Sequence, residues 1–346
     1  MKLGLMTGYS GNSVKIPLDT IGLAEELGYD SVWTAEAYGS DAVTTATWIL
    51  ANTSKIKVGT AIMQMPARSP AMAAMTAMSL SQLSGNRFIV GLGASGPQVV
   101  EGWHGVPYGK PVTRLKEYIA IMKQIFDREG PVTFEGKQYQ LPYKGEGATG
   151  MGKPLKSILH IQEQPPIFAA TITPAGVRAA ASHADGFFPV WMDPEQYHVF
   201  AEPIEKGFAD VGNKTLDDFE IAPFLRVIIG DDIEECMKPL KDNMALYIGG
   251  MGARAKNFYN DYAKRLGFED AAVKIQDLYL EGKKAEAAAA VPDALVDAAH
   301  LVGPVERIRE RSQRWIDAGK KGHVSTMLLG GETTKEGLEL MADIIL

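Results

Sequence analysis

Short apolar runs alternate with amphipathic segments along most of the chain. Apolar runs bounded by turn residues predict strands, and apolar positions spaced every three or four residues predict helices. The predicted strands span residues 3–7, 31–34, 57–62, 87–92, 166–170, 186–190, 220–229 and 322–329. Strands that alternate with helices imply a parallel sheet, because parallel neighbours need a crossover connection between them.

Helical segments follow most of these strands. They cover residues 16–27, 42–51, 70–83, 174–183 and 335–345. Gly28 stands where a helix ends in a left-handed residue, and Pro70 suits a first helical turn. Eight strands interleaved with helices fit a closed (β/α)8 TIM barrel better than a doubly wound open sheet, which stays the alternative.

Two stretches are longer than such a barrel needs. Residues 128–164 contain a hairpin-like segment at 132–141 and a glycine-rich segment at 145–152. Loops of this length are usually lids or binding loops. Residues 231–302 hold several helices, which we expect to cap the barrel or join a subunit interface. Because no linker separates these parts, we predict a single domain over 1–346 with two insertions.

Composition narrows the possible partners. The 346 residues include 35 Lys and Arg against 42 Asp and Glu, a net charge of −7, with 46% hydrophobic residues. Without clustered cations, a nucleic-acid partner is not expected. The single cysteine, Cys236, excludes an intrachain disulfide. With neither a signal-peptide pattern nor an apolar stretch long enough to span a bilayer, we predict a cytoplasmic protein that acts on a small molecule away from membranes.

In barrel enzymes the chemistry lies at the carboxyl ends of the strands. The residues expected there include one carboxylate, Glu36, and no lysine. The six histidines are scattered without metal-ligand spacing, so neither a Schiff-base aldolase nor a metal-dependent hydrolase is supported. A small, apolar and glycine-rich surface suits a flat cofactor that brings its own reactivity.

Two neighbouring strand ends have features of an anion site. Residues 91–96 read Gly-Leu-Gly-Ala-Ser-Gly, and Thr171 and Thr173 precede a helix that begins at Pro174. Glycines let backbone N–H groups approach an anion, and a helix start adds a favourable dipole. Arg178, one turn into that helix, is within reach of such a phosphate. Tight-turn and helix-capping roles are the structural alternatives.

Five side chains near the strand ends are candidates for chemistry or substrate contact. Glu36 could act as an acid or base or contact a cofactor ring, or it could bridge strand ends through hydrogen bonds. His104 could move a proton or touch substrate, or it could order its loop. Tyr9, Trp103 and Trp191 could wall a substrate pocket, although packing is the commoner use of large aromatic residues.

Several segments resemble the luciferase-like monooxygenase superfamily, and specifically its coenzyme F420-dependent branch. The resemblance covers essentially the whole chain and implies a TIM barrel with insertions, usually dimeric or larger. Its clearest segments are residues 28–33 (GYDSVW), 59–62 (GTAI), 84–88 (SGNRF), 184–186 (ADG), 93–105 (GASGPQVVEGWHG) and 245–252 (ALYIGGMG).

The resemblance implies where the cofactor binds. A cis peptide bond between Ala61 and Ile62 would form a bulge behind the deazaflavin ring, with Met63 and Gln64 nearby. The family's phosphate-binding positions fall on Gly93, Ala94, Ser95 and Gly96, and on Thr171, Ile172 and Thr173.

One local departure bears on the choice of cofactor. FMN-using relatives often carry Glu-His-His after the second strand, whereas here Glu36 precedes Ala37 and Tyr38. This favours F420, with FMN as the alternative. Relatives that oxidise sugar phosphates use a histidine and a glutamate where this chain has Ala37 and Gly96, so the resemblance does not carry over their proton-transfer mechanism.

The sequence therefore predicts hydride transfer between F420 and a small organic carbonyl, enone or alcohol, in a homodimer or larger homo-oligomer. An FMN-dependent monooxygenase is the enzymatic alternative. A barrel that binds the cofactor without catalysis is the third, because acid and base groups are few.

Overall fold

A parallel sheet forms the centre of the computed structural model, which describes residues 1–252, 254–331 and 334–346. Its strands carry chain-order labels. They are β1 Lys2–Gly8, β2 Ser31–Thr34, β3 Lys57–Thr60, β4 Met63–Gln64, β5 Phe88–Gly93, β6 Phe134–Glu135, β7 Gln140–Leu141, β8 Ile167–Ala170, β9 Gly186–Phe188, β10 Glu220–Ile221, β11 Phe224–Ile229, β12 Leu301–Gly303 and β13 Thr326–Gly330.

Helices connect these strands and cover the sheet. They are α1 Leu18–Glu26, α2 Ala42–Ala51, α3 Pro70–Ser84, α4 Pro97–Gly102, α5 Pro111–Asp127, α6 Pro174–His183, α7 His198–Val211, α8 Ile233–Ala245, α9 Phe258–Arg265, α10 Glu269–Leu280, α11 Lys284–Ala289, α12 Asp293–Ala299, α13 Val305–Lys320 and α14 Lys335–Ile345. Short 3₁₀ helices cover Met65–Ala67 and Leu216–Asp218, and a π-helix covers Leu246–Gly250.

The strand order shows that the sheet curls. Neighbouring strands run β10-β9-β8-β5-β3-β2-β1-β13-β11-β12, with β4 beside β5, and each of these pairs is parallel. β10 stands at one end of this order and β11 near the other, although only Ala222 and Pro223 separate them in sequence. The fold is thus of the α/β type with a curled parallel sheet.

The eight predicted strands are all found, with two interruptions. The strand predicted over 57–62 ends at Thr60, and pairing resumes at Met63 in β4, after the two residues Ala61 and Ile62. The strand predicted over 220–229 is divided before Pro223, which lacks the N–H group that a sheet ladder requires. β12, inside the second insertion, extends the sheet beside β11 and lies outside the predicted set, because three residues are too few to carry a pattern.

Helix starts near the predicted site follow one local rule. The side chains of Asp41, Ser69 and Thr173 accept hydrogen bonds from backbone N–H groups in the first turns of α2, α3 and α6. Such caps satisfy amides that have no partner within the helix. Each of these helices therefore begins at a defined point just beyond the carboxyl end of a strand.

The curl encloses an apolar cluster of its own, distinct from the larger core between sheet and helices. It contains Trp33, Ile89, Phe168, Phe188 and Leu328, among others. The ring of Trp33 lies 5.5 Å from that of Phe168 and 5.1 Å from that of Phe188, centroid to centroid. This cluster fills the lower part of the curled sheet and leaves the carboxyl ends of the strands for a ligand.

No helix of the described residues is long and apolar enough to cross a membrane.

We expect Gly59→Ala to destabilise the fold. A Cβ at Gly59 would lie 2.3 Å from the Trp33 ring, so the side chain inside the curl must shift. Overpacking of this kind lowers the free energy of unfolding by about 1–3 kcal/mol, measured by urea denaturation followed by circular dichroism. Gly22→Ala in α1, where a Cβ meets nothing within 4 Å, is the control and should be neutral or stabilising. Equal stability of the two variants would contradict the packing of Trp33 against Gly59.

Candidate active site

The carboxyl ends of the central strands meet at one edge because the pairing is parallel and in register. Gly8 pairs with Thr34, and Thr34 pairs with Thr60. Gln64 pairs with Gly93, at the end of β5. The segments that follow these residues therefore lie side by side, as expected for candidates drawn from successive strand ends.

The peptide bond between Ala61 and Ile62 is cis, as the resemblance implied. It lies between β3 and β4, against the end of β5. A Cβ on Gly93 would come 2.6 Å from Cγ1 of Ile62, so glycine is needed for this close approach. Met63 is fully buried in the core between sheet and helices. Ala61 and Ile62 instead pack against the cluster inside the curl, directly below the site.

The loop after β5 has the features of an anion site. Ser95 adopts a left-handed conformation with φ of 58°. Within the described part of the chain, none of the amides of Ala94, Ser95 and Gly96 donates a hydrogen bond. Partly buried amides without protein partners are free to bind an anion.

The loop after β8 lies beside it, because β5 and β8 are paired. The amides of Ile172 and Thr173 likewise have no acceptor among the residues that the structure describes. A Cβ on Gly176 would lie 1.8 Å from Oγ1 of Thr171 and 3.0 Å from Oγ1 of Thr173. Two hydroxyl groups thus converge over the start of α6, in a space that only glycine leaves open. Both loops fit a phosphate group.

Arg178 does not face this loop, contrary to expectation. Its guanidinium pairs with Asp210 of α7 on the surface, through hydrogen bonds of 2.8 and 2.5 Å. The cation found at the loop is Arg265 of α9, which donates to the carbonyl oxygen of Ile172 at 2.5 Å. The pattern could not reveal Arg265, because it lies 93 residues further along the chain, inside the second insertion.

The carboxylate of Glu36 is fully engaged in holding segments together. Arg68 donates to its two oxygens at 2.5 and 3.0 Å, and the amides of Gln64 and Ala42 donate at 2.7 and 3.0 Å. With its side chain 7% exposed, Glu36 takes the bridging role rather than that of a free acid or base. Of the alternatives predicted for Glu36, these contacts favour bridging over an acid or base role.

Arg68 forms a cluster of charged side chains with Glu36 and Asp41. Burial alone would lower the pKa of Arg68, but the hydrogen bonds and charge of Glu36 and the charge of Asp41 raise it. Burial alone would raise the pKa of Asp41, and hydrogen bonds from Thr44 together with the Arg68 charge lower it. Arg68 and Asp41 are therefore held in their charged forms.

His104 joins this cluster through Gln64. The side-chain amide of Gln64 donates to the carbonyl oxygen of Ala37 at 2.7 Å, so its Oε1 is the acceptor in the 2.9 Å contact with Nε2 of His104. Nε2 of the imidazole then carries the hydrogen, and Nδ1 of a neutral ring is left as an acceptor. His104 is thus ordered by a hydrogen bond while one ring nitrogen stays available.

Trp191, predicted to wall a pocket, is 3% exposed and packs under two tyrosines of the second insertion. Its ring lies 6.0 Å from Tyr247 and 5.7 Å from Tyr259. The strand-end rule missed both tyrosines, of which Tyr247 is influenced by Tyr9 and Tyr38 near the strand ends. Tyr247 lies in residues 245–252, a segment that contributes to the family resemblance without a role assigned to any of its side chains.

The other two predicted pocket residues lie at the surface. Tyr9 is 47% exposed and Trp103 is 66% exposed. The ring of Tyr9 lies 6.4 Å from that of Tyr38, so the two line one side of the strand ends. Trp103 stands one residue before His104, on the loop that leaves α4.

Comparison with known proteins identifies the class. The family profile described as luciferase-like monooxygenase matches residues 2–321. A Mycobacterium tuberculosis protein named "Putative coenzyme F420-dependent oxidoreductase Rv3520c" is 42% identical over 322 residues, 92% of this chain and 93% of that protein. The chain therefore belongs to the luciferase-like monooxygenase family of oxidoreductase enzymes, and it is similar to members named as F420-dependent.

Solved structures agree on the fold. The F420-dependent tetrahydromethanopterin reductase of Methanopyrus kandleri matches with a TM-score of 0.79 and 21% identity, over 99% of this chain and 98% of that one. An F420-dependent secondary alcohol dehydrogenase, solved with an F420-acetone adduct, matches with a TM-score of 0.74 and 18% identity over the same shares. At these identities the likeness concerns the architecture alone.

Arg68→Met should strongly destabilise the protein, because it leaves the buried Glu36 carboxylate without its cation. Breaking a buried pair costs about 3–5 kcal/mol, to be measured by chemical denaturation. The matched control is Arg309→Met, which breaks an exposed pair with Asp343 and should cost at most about 1 kcal/mol. Equal losses in the two variants would refute the central role of the Glu36–Arg68 pair.

Proposed function

We propose that the protein is an F420-dependent oxidoreductase that transfers a hydride between the deazaflavin and a small organic substrate. The observation that carries the proposal is the pair of adjacent loops with free amides, at 94–96 and 171–173. A relative of 42% identity that is named as F420-dependent supports the same cofactor.

The chain's own residues supply binding and orientation. The amides of Ser95 and Gly96 and the hydroxyls of Thr171 and Thr173 would hold the cofactor phosphate. Arg265 beside Ile172 adds positive charge at that point. Charge-assisted hydrogen bonds of this kind are stronger than neutral ones. When bound, the cofactor itself supplies the hydride-transfer chemistry.

Ala61 and Ile62 would support the ring from below, since both pack against the cluster inside the curl. Gln64 has its side-chain amide committed to Ala37 and His104, so it acts by fixing the loops around the ring. Nδ1 of His104 is the group we assign to accept or hold a proton on the substrate side. Transfer of hydride between fixed partners depends mainly on positioning, which such a site provides.

The curled sheet is proposed to close into an eight-stranded (β/α)8 barrel. Residues on both sides of the gap between β10 and β11 bond to the β13 segment: the amide of Ser325 donates to Ile221 at 2.8 Å, and that of Leu328 donates to Pro223 at 3.0 Å. Phe224 also pairs with Val190 beyond β9. β10 and β11 would then act as one strand between β9 and β13, with the strand ends forming a ring.

Titration of the purified protein with F420 and with FMN, followed by fluorescence, tests the cofactor. We expect micromolar binding of F420 and much weaker binding of FMN. Tighter binding of FMN would instead favour the flavin monooxygenase, and binding of neither would refute the two-loop phosphate site. Oxidation of reduced F420 with any of a panel of ketones and enones would exclude a barrel that only binds the cofactor.

Thr173→Val should raise the Kd for F420 about tenfold, a loss of about 1.4 kcal/mol, because it removes a hydroxyl from the phosphate loop. The matched control is Thr334→Val. Thr173 and Thr334 both cap a helix by accepting from the amide three residues on, each at 3.1 Å. Both variants should therefore lose about 1 kcal/mol of stability. A similar Kd in both would show that the Thr173 hydroxyl does not bind the cofactor.

A further inference from the structure

An arginine lies on the inner face of the curled sheet. Side chains alternate between the two faces of a strand, and β11 follows this rule. Phe224 stacks on Phe188 at 5.3 Å inside the curl, whereas Leu225 and Val227 lie in the core between sheet and helices. Arg226 therefore shares the inner face with Phe224, one step nearer to the carboxyl ends of the strands.

Two glycines leave room for the Arg226 side chain. Arg226 pairs with Gly330 of β13. A Cβ on Gly331 would lie 3.3 Å from Cδ and 3.4 Å from Nε of Arg226. The aliphatic part of the arginine thus runs closely over the backbone of Gly331, which directs the guanidinium along the strand ends rather than down into the cluster.

The Arg226 guanidinium is partly buried and has no protein partner within the described ranges. None of the side-chain hydrogen bonds or ion pairs found there includes it. The amide of Arg226 donates to Nδ1 of His300 at 3.1 Å. Burial lowers the pKa of His300 to about 3, so this histidine stays neutral and fixes the backbone without offering a counter-charge.

Tyr247 lies near the Arg226 guanidinium. Burial, with a smaller effect of Tyr9 and Tyr38, raises the pKa of Tyr247, and the charge of Arg226 opposes the rise. Tyr9, Tyr38 and Arg226 are therefore each close enough to Tyr247 to influence it. Tyr247 in turn packs at 4.8 Å from Tyr259 and against Trp191. The positive charge of Arg226 thus lies near a cluster of packed aromatic side chains that begins at Tyr247.

Arg226 also stands opposite the surface assigned to the cofactor ring. In the strand order, β3 and β11 are four steps apart through β2, β1 and β13. They are four steps apart through β5, β8 and β9 as well, when β10 and β11 are counted together. In a curled sheet, that separation places Arg226 across the site from Ala61 and Ile62, which is the side where a substrate must lie.

We propose that Arg226 is a specificity-determining residue that binds an anionic group, a carboxylate or phosphate, on the organic substrate. A half-buried guanidinium that is paired with no group of residues 1–252, 254–331 and 334–346 carries a desolvation cost, which a bidentate anion offsets. The tyrosines would cover the flat apolar part of the same molecule. This inference rests on the proposed function and narrows its small organic substrate to an anionic carbonyl compound, enone or alcohol.

Binding of benzoate and of neutral benzamide to the cofactor-free protein, measured by calorimetry, tests the charge requirement. We expect wild type to prefer benzoate at least tenfold, Arg226→Gln to lose that preference, and Arg226→Lys to retain part of it. The control Arg309→Gln, on the outer surface of α13, should behave as wild type. Equal benzoate binding by wild type and Arg226→Gln, or no preference in wild type, overturns the proposal.

Turnover of 4-acetylbenzoate and its methyl ester with reduced F420 tests the same residue in the reaction. Arg226→Gln should raise KM for the acid at least tenfold relative to the ester, with the Kd for F420 unchanged. A raised Kd for F420 would mean that Arg226 binds the cofactor's own anionic tail, and would overturn a role in substrate choice. If wild type prefers benzoate but binds no F420, the proposed function fails while the anion site stands.

Discussion

The buried ion pair between Glu36 and Arg68 is the constraint on which the site depends. A carboxylate that leaves water must be fully hydrogen-bonded and paired. Glu36 meets that demand with two backbone amides and one guanidinium, drawn from α2, β4 and the segment after β4. The ends of β2 and β3 are thereby fixed relative to each other. Because Gln64 also bonds to Ala37 and His104, the loop after α4 is positioned by the same cluster.

A site built in this way is rigid but poor in free proton-transfer groups. Glu36, the one carboxylate among the strand-end candidates, is engaged in an ion pair and in hydrogen bonds to backbone amides. Among those candidates, Nδ1 of His104 then remains available as a base. A site with few free acid and base groups fits chemistry in which a bound cofactor supplies the reactivity and the protein supplies orientation. It fits less well with reactions that require strong general acid and base catalysis, where a carboxylate of raised pKa is usual.

The sequence pattern predicted the structural features that depend on residues close together in the chain. The eight strands, the cap at Thr173 and the glycines of the phosphate loops follow from periodicity and turn chemistry, and the cis bond at Ala61 followed from the resemblance. Contacts between distant segments could not be derived in this way. Arg178 was predicted to reach the loop after β8 because it is close to that loop in sequence, but it pairs with Asp210, and Arg265 contacts the loop instead. The sequence left the role of Glu36 open between chemistry and bridging, because its partner Arg68 lies 32 residues further on.

The difference between local and global properties also explains why the protein's negative net charge is compatible with the proposed anion sites. Its net charge of −7 is spread over a surface in contact with salt and water, where charges are screened beyond about 8–10 Å. Arg226 lies instead partly buried on the inner face of the sheet, where the lower effective dielectric strengthens its interactions, and Arg265 of α9 contacts the loop after β8. They also lie on different sides of the site, because Arg265 contacts the segment after β8 and Arg226 belongs to β11. In the proposed function, local charge at these two points, rather than the sign of the net charge, would determine which groups of cofactor and substrate bind there.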